Sequence, residues 1–276
     1  MIFVTKFDGR KQPFDRRKVI NTCLRMHATQ QQARIVAERI ERKIYDGIQT
    51  RKILRMIFSY LQEFRPEVKH RIDLREAMGR LRPKPDFEVF VALLLKEYGY
   101  SVVGSQLLEG RCVTHEIDGI AVKDDKMILI EAKHHLQHHT FTGVDVFLET
   151  QARLEDLREG FVEKKHKMNF SKALIVCNTK FSDHALNYAK CMGIEYIGWK
   201  APAEAGLETM IEKKRFYPIT LLKNLDSETE QKLADNDVLT LKQLIQYDTE
   251  LLYRKTRIPR ERIKSLIRAA KELMEA

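Results

Sequence analysis

The stretch from His115 to Lys133, HEIDGIAVKDDKMILIEAK, holds residue types that could act on a phosphodiester. It carries one acid, Asp118, and then an acid-x-lysine, Glu131 and Lys133. Residues 117–122 and 127–130 are apolar and β-branched and read as strands, with Asp124 and Asp125 as the two-residue turn between them. If Lys123 faces Lys126 across that turn, Asp118 falls opposite Glu131 and Glu116 opposite Lys133. Side chains alternate along a strand, so all four would project from one face. Facing carboxylates repel unless a cation sits between them. Mg2+ or Mn2+ accepts such oxygens, with water and phosphate in its remaining positions. Asp118 and Glu131 are therefore the expected metal ligands, with the carbonyl of Ala132 as a further one. Lys133 would stabilise a phosphate oxygen and help orient or deprotonate the attacking water. The competing reading of the same residues is a solvated hairpin with cross-strand salt bridges.

Those residues need a scaffold. Residues 85–100 read as an amphipathic helix with Phe87, Phe90, Val91, Leu94 and Tyr98 at helical spacing. Glu88 lies on the flank of that stripe, either half-exposed or aimed at the metal site. ALIVC at 173–177 reads as a buried strand, a helix starts at about Asp183, and a last strand is expected near 195–197. Together these elements make an α/β domain. Residues 86–200 resemble the Mrr-type restriction endonuclease domain of the PD-(D/E)xK superfamily. The matching pieces are FE at 87–88, LLLKEYGY, IDGIA around Asp118, IEAKHH at 130–135 and FSDHALNYA. The resemblance implies Asp118 and Glu131 as metal ligands and Lys133 as the catalytic lysine. It adds Glu88 as the helix acid and Gln151 as a glutamine supporting lysine and water.

Charge sets the first segment apart. Residues 1–82 contain 20 Lys/Arg against 9 Asp/Glu, so they carry the whole positive surplus of the chain and point to a polyanionic ligand. FVTKF reads as a strand, Asp8-Gly9 as a turn and Asp15 as the N-cap of a helix from Arg16. Helical patterns follow at 29–47, at 50–64 with Thr50 as its cap, and at 67–81. VTKFDGRKQPFDRRKV and IYDGIQTRKI resemble the ATP-cone domain, a regulatory nucleotide-binding module. The resemblance implies that Val4, Lys6, Gln12, Asp15, Lys18 and Thr50 surround ATP or dATP, with the lysines on phosphates. Phe7 departs from the family, which usually has a second basic residue there. No G-x(4)-G-K-[ST] pattern occurs, so the nucleotide is expected as an effector and not as fuel.

RPKP at 82–85 marks one boundary. A connecting segment, expected to include a helix, spans 201–218, and residues 219–276 read as all-helical with starts at Asp226, Thr240 and Pro259. This tail loosely resembles helix-hairpin-helix or SAM-like domains but lacks the hairpin glycines. Phosphate contacts there would fall to Arg257, Arg260 and Arg262, and docking on another subunit is the alternative. His134, His135, His138 and His139 fit no common zinc spacing and read as a partly solvated loop facing DNA. The four cysteines form no CxxC pair and read as free, buried thiols.

The expected architecture is multidomain α+β and α/β: a mostly helical cone with a β-hairpin (1–82), a restriction-endonuclease-like core (86–200) and a helical C-terminal domain (219–276). The expected activity is metal-dependent hydrolysis of DNA, governed by nucleotide. A non-catalytic nucleotide-sensing DNA-binding regulator and a nuclease selective for branched DNA are the rivals. No signal peptide or membrane-spanning run is present, so a cytoplasmic chain without membrane contact is expected. Cutting both strands needs two sites, which favours a homodimer or higher oligomer.

Overall fold

The structure is a computed structural model describing residues 2–137 and 139–275. It begins with β1 (Phe3–Thr5), β2 (Lys11–Pro13), α1 (Arg16–Arg25), α2 (Gln30–Glu41), β3 (Ile48–Gln49), α3 (Thr50–Leu61), α4 (Leu74–Arg80) and α5 (Glu88–Glu97). The strands β4 (Ser101–Val103), β5 (Gln106–Glu109), β6 (Thr114–Ile117), β7 (Gly119–Lys123), β8 (Lys126–Lys133) and β9 (Phe141–Thr142) follow. Next come α6 (Asp145–Val162), β10 (Phe170–Cys177), β11 (Lys180–Phe181), α7 (Asp183–Met192) and β12 (Glu195–Ile197). The last helices are α8 (Leu207–Lys214), α9 (Ser227–Ala234), α10 (Leu241–Gln246), α11 (Thr249–Thr256) and α12 (Arg260–Glu275). The result is an α+β multidomain architecture whose contacts form two units. One holds the chain up to Ile72, Leu222–Asp226 and everything from Ile245; the other holds Asp73–Leu221 and Ser227–Leu244.

In the first unit β1 lies between β2 and β3, antiparallel to the first and parallel to the second. Val4, Val19, Cys23, Val36, Ile40, Ile48, Ile57 and Leu61 form its core, one apolar face each from strand and helices. Asp15 caps α1 as expected, its carboxylate accepting from Arg17 N at 2.9 Å. Thr50 is the first helical residue of α3, and the cap position belongs to Gln49, whose side chain makes no capping bond. The pattern at 67–81 is not one helix. Asp73 accepts from Arg75 N and Glu76 N at 3.0 and 3.2 Å, which starts α4 anew after a 3₁₀ turn at Pro66–His70. In the tail, Asp248 likewise caps Glu250 N and Leu251 N, so the helix expected through 241–256 breaks into α10 and α11. Two of the three arginines expected to reach phosphates are engaged elsewhere. Arg260 makes a two-pronged pair with Glu250, and Arg262 holds Asp226 and the carbonyl of Asn224.

In the second unit the sheet order is β12-β10-β8-β7-β4. β12, β10 and β8 are parallel, while β7 runs antiparallel to β8 and β4. The inner strands β8 and β10 carry nearly unbroken apolar runs, as strands covered on both faces must. Ile120, Leu129, Phe147, Leu154, Leu157, Phe170 and Ile175 build the core beneath α6 and α7. Lys123 pairs with Lys126 around Asp124 and Asp125, both at positive φ, as a tight hairpin requires. The ladder runs only to Gly119↔Ile130. Before Gly119 the chain leaves β8 and pairs with β5, so Glu116 stands opposite Leu107 and not Lys133. The other edge of β7 is already taken by β4; β5, just after it, draws residues 114–117 into a separate ladder.

That second hairpin is tied to α6 by Asp156. Its carboxylate accepts from Cys112 N at 2.8 Å and Val113 N at 3.4 Å, and meets His115 Nε2 at 2.7 Å. Burial pushes this carboxyl up, but the bonds from His115 and the two amides outweigh it and hold it at about 2. A folded value below the unfolded one, roughly 3.9, stabilises the protein above that value, and the gain is lost as pH falls towards about 2. Asp156→Ala is expected to cost about 2–3 kcal/mol in urea unfolding at neutral pH. The difference from wild type should shrink in acid; a constant difference down to pH ~2 would contradict this linkage.

Candidate active site

Glu131 and Lys133 lie two residues apart on β8 and so share one face. Asp118 sits between β6 and β7, where the hairpin ladder ends. Its Oδ2 accepts from Ala132 N at 2.8 Å, which folds the carboxylate across onto the Glu131–Lys133 segment. Its Oδ1 lies 3.5 Å from Lys84 Nζ. Glu88, the first residue of α5, has a side chain only 9 % exposed and 3.2 Å from the same ammonium. That contact is to Oε1, which is itself buried. Glu131 is paired with Arg153 of α6.

Burial, and then the neighbouring charge of Asp118, push the Glu88 carboxyl up against the pull of Lys84. Burial also raises Glu131, opposed by Arg153 and, more weakly, by Lys133. For Lys84, burial works against the charge, but hydrogen bonds to Glu116 and Glu88 and the field of Asp118 prevail and keep the ammonium above the ordinary lysine value.

Asp118, Glu131, Lys133 and Glu88 are thus neighbours. Ala132 meets Asp118 through its N–H. Gln151 is turned along its own helix and donates to Glu155 at 2.7 Å. Three residues of the site escaped the sequence reading. Lys84 had a faint signal, the i,i+4 spacing to Glu88. Arg153 had none beyond its place on the helix that carries Gln151. Asn178 is fully buried, accepts from His135 N and donates to His135 O, both at 2.8 Å, and so fixes the chain just past Lys133. His134 and His135 are half-buried. His134 Nε2 bonds Met78 O at 2.9 Å and its ring packs on Phe87, while His135 Nε2 bonds Thr142 Oγ1 at 3.0 Å. Burial lowers both imidazoles. His138 lies outside the described residues. Of the free thiols, Cys23 and Cys177 are buried, whereas Cys112 and Cys191 are exposed.

A divalent metal fits this donor set by type. The oxygens are hard, clustered and largely buried, and buried Glu88 Oε1 has the Lys84 ammonium, at 3.2 Å, against it. Among the described residues no three acids, histidines or cysteines already form a cage. In this arrangement the positive charge the carboxylates need comes from Lys84 and Arg153.

In the first unit, Val4 is buried and pairs with Gln12 on one side and Ile48 on the other. Thr5 pairs with Gln49, so Lys6 and Thr50 follow abreast just beyond the ladder. Asp15 and Lys18 belong to the start of α1. The carboxylate of Asp15 is already used in capping that helix.

The fold is that of a restriction-endonuclease-like core with a cone before it and a helical segment after it. A family model described as ATP cone domain matches residues 2–78, one described as restriction endonuclease matches 82–200, and one described as AF1548-like, C-terminal, matches 217–274. An uncharacterized protein of Archaeoglobus fulgidus is 32 % identical over 184 residues, 67 % of this chain and 99 % of that protein. A crystal structure titled as that of a protein of unknown function, AF1548, superposes with a TM-score of 0.59 at 29 % identity, over 73 % of this chain and 98 % of the other. The chain belongs to this AF1548-like family, with an ATP cone preceding the Mrr-type restriction endonuclease domain. Among the described residues no helix is long and apolar enough to cross a membrane.

Proposed function

We propose that this protein is a divalent-metal-dependent DNA endonuclease whose cutting answers to ATP or dATP bound at the cone. The observation that carries the reading is the hydrogen bond from Ala132 N to Asp118 Oδ2, which joins Asp118 to the strand of Glu131 and Lys133. Asp118 and Glu131, with the Ala132 carbonyl, would hold Mg2+ or Mn2+, and Glu88 would add its buried carboxylate. Such an ion supplies Lewis-acid activation of a water and neutralises charge on the scissile phosphate. Lys133 holds a non-bridging phosphate oxygen and stabilises the charge that builds there. Asn178 positions Lys133 through the backbone of His135. Gln151 would support the lysine and the water only after leaving Glu155. At the cone, Lys6 and Lys18 meet phosphates while Val4, Gln12, Asp15 and Thr50 frame the nucleotide. The chain works as a homo-oligomer in the cytoplasm, with one site per strand cut.

The test is cleavage of supercoiled plasmid by the full chain in Mg2+, with saturating ATP, saturating dATP or neither. At least one nucleotide should change the rate by about fivefold or more, in the range of ordinary allosteric coupling. Equal rates in all three would remove the regulatory half of the proposal. The ion pairs of Glu131 with Arg153 and of Asp118 with Lys84 favour one second reading: a DNA-binding regulator that cuts nothing.

A further inference from the structure

Lys84 is the least expected member of the acidic cluster. Its ammonium lies 3.0 Å from Glu116, 3.2 Å from Glu88 and 3.5 Å from Asp118. The backbone that carries it is pinned. Arg82 donates twice to buried Asp86, at 2.7 and 2.9 Å, and once to Asp235 at 2.8 Å, and Phe87 is fully buried. The Lys84 side chain itself is 58 % exposed. It is therefore a flexible arm on a fixed base, free to leave the carboxylates without disturbing the fold.

We propose that Lys84 is a built-in counter-ion that holds the metal-binding carboxylates in the absence of a divalent ion and is displaced when one binds. This rests on the proposed metal site. Four carboxylates, Glu88, Glu116, Asp118 and Glu131, share three cationic side chains, Lys84, Arg153 and Lys133. Adding a divalent ion to that set would leave a surplus of positive charge unless one cation withdraws. Arg153 is largely buried and held on α6. Lys84 is exposed, long and single-charged, so it is the one that can go. It also occupies oxygens of Glu88 and Asp118 that an ion would need. Lys84 is thus a positioning residue. It keeps buried acids from repelling one another and sets a threshold of metal concentration for assembling the site.

Two measurements on the full chain test this. Mn2+ binding, read by the loss of free-ion EPR signal, should be about tenfold tighter in Lys84→Met than in wild type, because a competing charge 3.2–3.5 Å from the ligand oxygens is gone. Acetylation of Lys84 in wild type, followed by mass spectrometry, should rise severalfold when Mg2+ is added, because the ammonium is released. Equal or weaker Mn2+ binding by Lys84→Met, or Lys84 reactivity unchanged by Mg2+, overturns the proposal. A field effect without displacement would alter only the first reading, so it too is detected as failure. If Mn2+ binds neither protein, or binds Lys84→Met equally well once Glu131→Gln is added, the metal site itself is wrong, and the counter-ion proposal falls with it.

Discussion

Glu131→Ala and Lys133→Ala, each in the full chain, are expected to lower the rate of plasmid nicking in Mg2+ by about a thousandfold. The two losses should differ in kind. Removing Glu131 takes away an oxygen ligand and leaves Arg153 unpaired beside the site, so raising Mg2+ should recover part of the activity. Removing Lys133 leaves the carboxylates in place, and no metal concentration should restore the rate, because the missing charge belongs to the phosphate. Neither side chain is part of the apolar core beneath the sheet, but Glu131→Ala leaves largely buried Arg153 without its partner, so both variants are assayed below their unfolding midpoints. Wild-type rates in both variants would leave the regulator that cuts nothing as the surviving reading.

The second large effect is on stability. A Cβ added to Gly160, in α6, would lie 2.7 Å from the carbonyl oxygen of Glu109 and 2.9 and 3.0 Å from backbone carbons of Gly110. All three are main-chain atoms and cannot swing aside. Alanine gains about 1 kcal/mol of helix propensity over glycine in a helix interior, and valine only a few tenths. Relieving the clash requires lifting α6 off the β5–β6 hairpin, and Gly160→Val is expected to lose a net ~3 kcal/mol in urea unfolding. Gly160→Ala should be destabilised less but still fall below wild type. Because α6 also carries Arg153 and meets the hairpin leading into Asp118, both variants should lose nicking activity at temperatures where they remain folded. A Gly160→Val midpoint equal to wild type would show that the approach of helix to hairpin is looser than these distances.

Much of this was legible from residues alone, for reasons that can be named. The Asp124-Asp125 turn fixes a two-residue loop, and that loop fixes the register of β7 on β8 as far as Gly119 and Ile130. β10 and α7 announce themselves by an apolar run and by a serine cap, Ser182 accepting from Ala185 N at 3.1 Å. Asp15, Asp226 and Pro259 mark helix starts that the chain uses. The failures share a cause: competition from partners distant in sequence. Nothing local tells residues 114–117 to leave β8 for β5. Asp73 and Asp248 lie inside stretches that read as continuous helix, yet each caps a new helix. The cationic side of the site was the least legible. Lys84 meets Glu116 and Asp118 across more than thirty residues, and Asn178 reaches His135 across 43. Spacing rules carry no information about such pairs.

The premise behind the catalytic proposal is that Asp118 and Glu131 share one divalent ion. The direct measurement is anomalous diffraction at the manganese edge from crystals of the full chain soaked in Mn2+. The expected result is a single strong peak about 2.2 Å from an oxygen of each carboxylate, with Lys84 Nζ turned away. A peak elsewhere, or none while Lys84 and Arg153 stay on the acids, would contradict it and leave a restriction-endonuclease fold that holds no metal.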